Sequence, residues 1–238
     1  MSPRRSGVGV SERRQDWPML PGRLKLYSRF FRERRNRRLA ALIEELWGQK
    51  GAALDVLDVG GATYFWTTLP EASRNKCNIS LINLPGAYDG DSAEEQRIRG
   101  EFQLLTGDAR DLSQFQDRAF DLVVSNSVIE HLGVWPDMER AAREAFRVGK
   151  RGWVQVPAFE FPIEQHFLLP LVHWFAAPIQ IAMLSFLRTG FGALGASEQH
   201  LAVHRVRPLS RSELTVLFPN CAIASQWIFL PKCHIATW

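Results

Sequence analysis

The sequence predicts a doubly wound α/β domain on a mostly parallel sheet, and three observations carry that reading. The apolar strand Leu54-Asp55-Val56-Leu57-Asp58-Val59 runs directly into Gly60-Gly61, the kind of turn that lets backbone approach a ligand where a strand passes into a helix. A second such strand, 78–83, follows about 20 residues later and ends on the polar Asn83. Further short apolar runs then alternate with helical stretches, the order from which parallel sheets are built.

The elements follow in order. Residues 1–20, with Arg4, Arg5, Arg13 and Arg14, lack the apolar run of a signal peptide and read as a disordered basic tail. Residues 21–50 read as a basic amphipathic helix, its apolar positions (Leu24, Tyr27, Phe30, Phe31, Leu39, Leu42, Ile43, Leu46, Trp47) spaced three or four apart. Between them Arg32-Glu33-Arg34-Arg35-Asn36-Arg37-Arg38 contains no apolar residue, so the helix is expected to break there or to expose that turn on all sides. Strands are expected at 54–59, 78–83, 102–106, 120–125 and 151–156. These runs show little polar alternation, as in strands covered on both faces. A helix from Pro136 to Val148 opens on proline and closes at Gly149.

After Pro157 the composition changes. Phe167 to Leu187 holds no charged residue over 21 positions, close to the ~20 that span a bilayer. Pro170, His173, Pro178 and Gln180 interrupt the run, and a buried cap of two short helices is the preferred reading, with a lipid-facing patch as the alternative. A helix opened by Ser210 with Glu213 at capping-box spacing, then strands at 222–229 and 233–237, complete the chain. The body, 51–238, reads as one domain with an insert at 158–205.

Composition bounds the function. With 46% hydrophobic and 23% charged residues the chain is globular. Cys77, Cys221 and Cys233 make neither a disulfide framework nor a metal spacing, so a reducing, cytoplasmic setting is expected. Residues 1–50 carry 13 Lys/Arg against 5 Asp/Glu, and the rest 16 against 20. A basic segment on a faintly acidic body suits phosphate-bearing surfaces, or simply a solvated helix face. Peripheral membrane contact through 23–47 and 167–187 stays open.

Four motifs in order resemble the class I S-adenosylmethionine-dependent methyltransferases that act on small molecules and lipids, the methyltransferase type 11-like group. They are Val56-Leu57-Asp58-Val59-Gly60-Gly61-Ala62-Thr63, Gly107-Asp108-Ala109, Phe120 to Leu132, and Arg143-Glu144-Ala145-Phe146-Arg147-Val148 through to Val154-Gln155-Val156-Pro157. The resemblance covers roughly 54–157. It implies a seven-stranded Rossmann-like sheet with an antiparallel C-terminal strand. It also implies S-adenosylmethionine as cofactor and a small-molecule acceptor, with the 158–205 insert as substrate lid; nucleic acid is not expected. It places the cofactor against Asp58, Gly60, Gly61, Ala62, Asn83, Leu84, Asp108, Ala109 and Asn126, with Asp58 near the amino end, Asn83 at the ribose and Asp108 at the adenine amine.

Two departures stand out. Ala62 and Tyr64 replace further glycines, so Tyr64 must point away from the cofactor. Asn83 replaces the usual ribose-binding acid, so restoring the charge by Asn83→Asp is expected to preserve or tighten binding. The catalytic candidates are His131, just after the fourth strand, and His166, in Glu160-Phe161-Pro162-Ile163-Glu164-Gln165-His166-Phe167. His131 is favoured as general base, since an imidazole with an ordinary pKa near ~6.5 suits neutral pH. His200 and His204 share a metal-compatible i, i+4 spacing without a third ligand, and no metal is expected. Two other functions are weighed: a non-catalytic binding protein on this fold, and an RNA methyltransferase. The latter lacks an Asn-Pro-Pro-aromatic signature after Asn126.

Overall fold

The structure, a computed structural model, describes residues 22–87, 97, 99–167, 169–187 and 195–238, with side chains from residue 32 onward. The tail expected over 1–20 lies outside the described residues. Seven strands form one sheet: β1 Leu54–Val59, β2 Cys77–Asn83, β3 Gln103–Thr106, β4 Phe120–Asn126, β5 Gly149–Pro157, β6 Ala222–Trp227 and β7 Pro231–Thr237, in the spatial order β3-β2-β1-β4-β5-β7-β6. The first five are parallel, and β7 alone runs the other way, inserted between β5 and β6. The chain steps outward from β1 to β3 and then returns to place β4 on the other side of β1. That reversal opens a crevice beyond the carboxyl ends of β1 and β4, where ligands bind in such sheets.

Residue parity along β1 explains why it reads as an unbroken apolar run. Leu54 and Val56 face a layer containing Trp66 and Trp153, whereas Leu57 and Val59 face Val123, Ala145 and Val148. Asp58 shares the face of Leu54 and Val56 by this alternation. Helices α1 Gly22–Lys50 and α2 Thr63–Thr67 cover that face; α3 Glu71–Arg74 follows α2, and α4 Trp135–Val148 lies on the other side.

The helix break expected at 32–38 does not occur, and the turn is not exposed on all sides. Arginine is a good helix former, and α1 holds no proline or glycine from Arg23 to Trp47. Two polar side chains extend the buried stripe: Asn36 Nδ2 donates to Thr68 Oγ1 at 2.7 Å, and Arg35 Nη1 to Gln155 Oε1 at 2.9 Å. Asn36 and, behind it, Leu39, Ala40, Ile43 and Leu46 are buried. The helix is an integral wall of the sheet.

Beyond β5 the insert forms a 3-10 turn at Val172–Trp174 and two helices, α5 Ala177–Leu187 and α6 Ala196–Arg205. Phe167, Leu169, Val172, Leu184 and Val203 make its own small core. The cap is buried on one side only: Trp174, Phe175, Ile179 and Phe186 are exposed, Phe186 to 86%. No helix among the described residues is long and apolar enough to cross a membrane. The capping box forms as read, with Ser210 Oγ accepting from Glu213 N ahead of α7 Arg211–Leu217.

Candidate active site

The carboxyl ends of β1 to β5 bring the predicted residues to one edge. Backbone ties set their relative heights: Gly60 N donates to Ile82 O at 2.8 Å, and Gly107 N to Asn83 O at 2.9 Å. Gly60 sits at φ +73°, and a Cβ there would meet Val128 Cγ2 at 2.6 Å; one on Gly61 would meet Asp58 Oδ2 at 2.1 Å. Only glycine fits either place. Ala62 and Tyr64 are exposed, Tyr64 to 63%, so the large ring stands out of the turn as the sequence requires.

Asp58 is fully buried beneath this turn. Oδ2 accepts the Trp66 indole N–H at 2.7 Å, whereas the buried Oδ1 has no hydrogen-bond partner. Burial pushes its pKa up to about 7, and the Trp66 bond offsets only part of that. A carboxylate oxygen buried without a donor fits a cationic amino group, and the glycine turn supplies close backbone. Asn126, last in β4, likewise holds a buried Oδ1 without a partner.

Asn83 ends β2 and Asp108 follows β3 at the same edge, and their bonds differ from the sequence reading. Asn83 Nδ2 donates to Gly61 O at 2.8 Å, so the amide braces the glycine turn with a donor that aspartate lacks. Asp108 is clasped by a residue that the sequence reading missed. Arg110 gives Nε to Oδ1 at 2.9 Å and Nη2 to Oδ2 at 2.5 Å, and its Nη1 reaches Asp137 Oδ2 at 2.7 Å. This clasp holds the Asp108 carboxyl below the usual range. The signal was local, since an Asp two residues before a donor commonly makes such a turn. Leu84 is exposed and Ala109 half-buried on the same edge.

His131 and His166 come together. Their rings meet edge to face with centroids 4.8 Å apart, although 35 residues separate them in sequence. His131 ends the 3-10 turn Ile129–His131, and His166 comes from the loop after β5. Glu164 is fixed on His166: Oε1 lies 2.7 Å from Nδ1, and Oε2 accepts the backbone N–H of His166 and Phe167, both at 2.6 Å. Burial, then the neighbouring His166, push the His131 pKa down to about 4, with Glu164 opposing. Glu160, the other acid of that segment, points elsewhere: Oε2 meets His234 Nε2 at 2.9 Å and Oε1 accepts Arg211 N at 3.0 Å.

A cavity of 480 Å³ adjoins this pair on the lid side, with Phe159, Glu164, Phe167, Val203, His204 and Arg207 in its wall. His200 and His204 line a smaller cavity of 340 Å³ with Ala177, Pro178 and Ile181. Sequence reasoning also missed Trp66, and Arg35 with Gln155, whose Oε1 accepts from both Arg35 and Ser127 Oγ behind the β4 turn.

Residues 57–154 match the methyltransferase domain family, and the glycine turn and the order of the motifs lie within that stretch or beside it. The chain is 36% identical over 101 residues to 2-methyl-6-phytyl-1,4-hydroquinone methyltransferase 1, chloroplastic, of Oryza sativa subsp. japonica, covering 42% of this chain and 29% of that protein. The Arabidopsis thaliana enzyme of the same name is 38% identical over 98 residues, or 41% and 27% of the two chains. The chain thus spans less than a third of these relatives. Magnesium protoporphyrin IX methyltransferase from Synechocystis PCC 6803 with bound SAH shares the fold at TM-score 0.54 and 11% identity, over 94% of this chain and 90% of that one.

Proposed function

We propose that this chain transfers a methyl group from S-adenosylmethionine to a hydroxyl of a hydrophobic small molecule. The observation that carries this reading is the pairing of His131 and His166, backed by Glu164, between the glycine-turn edge and an aromatic-walled cavity of ordinary ligand size. The relatives named as phytyl hydroquinone methyltransferases support an acceptor that combines ring hydroxyls with an apolar tail.

Asp58, Gly60, Gly61 and Ala62 hold the aminoacid end of the cofactor, and Asn126 borders the same crevice. Asn83 and Leu84 border the ribose, and Asp108 with Ala109 the adenine. The bound cofactor supplies an electrophilic methyl on a sulfonium. The protein aligns the acceptor in line with that methyl and removes the hydroxyl proton. In its simplest form His166 takes the proton: Glu164 holds Nδ1 and leaves Nε2 as the accepting nitrogen. His131, favoured as the base on sequence grounds, is instead held neutral and poorly basic by burial, and it flanks the acceptor.

Titration calorimetry with S-adenosylmethionine tests the first half of the proposal. Mass spectrometry of a prenylated hydroquinone and a tail-free catechol, each incubated with enzyme and cofactor, tests the second. Cofactor binding with methylation of the prenylated compound is expected. Absence of cofactor binding would return the chain to a non-catalytic binding role.

A further inference from the structure

We propose that Glu130, His131 and His166 form a binding site for a divalent transition-metal ion at the acceptor end of the active site. A ligand atom from each residue lies within 4.8 Å of those of the other two. Ligands bonded to one ion at about 2.0–2.2 Å stand roughly 3–3.5 Å apart. Closing on an ion therefore asks for about an ångström of side-chain movement. Two of the donors come from the single turn that follows β4. The third comes from the loop that follows β5, and the β4–β5 register, Asn126 opposite Gln155, fixes the two loops relative to each other.

The surroundings are those of a ligand set rather than of a chance cluster. Glu130 is buried in full. Its backbone oxygen accepts Arg207 N at 2.8 Å, which pins the turn to the segment following α6. Glu164 holds His166 through Nδ1 while its other oxygen is fixed by two backbone N–H groups. A carboxylate on the far nitrogen of a metal-binding histidine fixes ring orientation and tautomer and raises the basicity of the ligating nitrogen. Two imidazoles and one carboxylate suit iron(II), manganese(II), cobalt(II) or zinc(II), and not the all-oxygen preference of calcium or magnesium. Three protein ligands leave a position open to an exogenous oxygen, and Glu164, which holds His166, also lines the 480 Å³ cavity.

For its role, though not for its existence, this inference rests on the methyl-transfer reading. An acceptor hydroxyl on the open position loses its proton more readily, because the cation stabilises the oxyanion. The proton then leaves to solvent through the cavity instead of staying on His166. The new oxygen–carbon bond forms as the sulfur–carbon bond breaks, and the positive charge lost by the sulfonium is balanced by the proton released. The ion is not itself oxidised or reduced.

The test uses tag-free protein stripped with a chelator and titrated with cobalt(II), then with zinc(II). One equivalent per chain is expected, with visible cobalt bands that zinc abolishes. His166→Ala and Glu130→Gln should each weaken cobalt binding at least tenfold, whereas His200→Ala should leave it unchanged. Circular dichroism of each variant separates loss of a ligand from loss of fold, and His131→Ala provides a second removal. No saturable cobalt binding, or binding that survives both histidine changes, overturns the site. Calorimetry with S-adenosylmethionine on the stripped protein keeps the two readings apart. Cofactor binding without cobalt binding leaves methyl transfer standing and removes the metal, and the reverse leaves the metal site and removes the transfer.

Discussion

The edge proposed for the cofactor and the lid side of the candidate site are built from different materials. Along β1 and β2 the positioning groups are largely backbone, set by glycines whose neighbours tolerate no Cβ and by hydrogen bonds between adjacent loops. On the lid side they are side chains carried by separate segments, with His131 against His166 and Glu164 beneath. Substitutions should therefore cost cofactor affinity on one side and turnover on the other.

The largest effect belongs to Gly60→Val. A branched side chain at φ +73° is strained and meets Val128, besides filling the space proposed for the aminoacid end. Calorimetry should show no S-adenosylmethionine binding. Gly60→Ala, with less bulk at the same collision point, should lose at least about tenfold, ~1.4 kcal/mol. Unchanged affinity in the alanine variant would break the contrast on its backbone side.

His166→Ala comes next. Turnover should fall by about 10²–10⁴ with cofactor affinity retained, since the proposed role of the residue is on the acceptor alone. Glu164→Gln should fall less, because an amide still bonds Nδ1 but no longer supports a positive ring. Losses in cofactor affinity that track the losses in turnover would show that the lid shapes the whole cleft.

Asp58→Asn separates stability from binding. The folded-state pKa of Asp58 is raised from its usual 3.8 to about 7, so the folded protein holds a proton there that the unfolded chain releases. The associated stability is complete below pH 4 and is lost as pH rises through 7. The neutral amide has no charge to bury. The cofactor-free variant should melt near the wild type at pH 4 and clearly above it at pH 8.5. Three pKa units bound the difference at about 4 kcal/mol. Cofactor affinity should drop with the loss of the anionic partner. Equal melting shifts at the two pH values would show that Asp58 stays ionised in the fold.

What was legible in the sequence follows the same division. Strands covered on both faces show as continuous apolar runs, so β1 was readable to the residue and β2 and β4 to within one. The glycine turn and the polar strand ends were readable because they directly follow apolar strands, although Asn83 meets Gly61 only across 22 residues. Arg35 and Asn36 were not, because periodicity treats only apolar residues as inward-facing. Arg35 meets Gln155 across 120 residues. The histidine pair was visible as two candidates but not as a contact, and nothing in Glu160 or Glu164 alone told which carboxylate would serve His166.

Asn83→Asp is smaller and reverses the expectation drawn from charge alone. The amide N–H braces Gly61 O at 2.8 Å. Aspartate would set an anionic oxygen against that carbonyl and loosen the turn. A loss of about tenfold in cofactor affinity, ~1.4 kcal/mol, is expected. Preserved or tighter binding would mean that the turn re-forms and that the charge reaches the ribose.

The smallest effect concerns surfaces outside both pockets. Arg32, Arg34, Arg37 and Arg38 are exposed on α1, and Trp174, Phe175, Ile179 and Phe186 are exposed on the lid. Cations near an anionic bilayer contribute up to about 1 kcal/mol each and are screened by salt. Aromatic rings at the headgroup level add apolar burial that salt does not screen. Weak co-sedimentation with vesicles containing phosphatidylserine is therefore expected at low ionic strength. An Arg37→Glu, Arg38→Glu pair should abolish its salt-sensitive part, and Phe186→Ser its residual part. If the protein binds neutral vesicles equally well, the lid alone makes the contact and the arginines are a solvated face. If it binds neither at low salt, the exposed aromatic residues serve the acceptor or a protein partner.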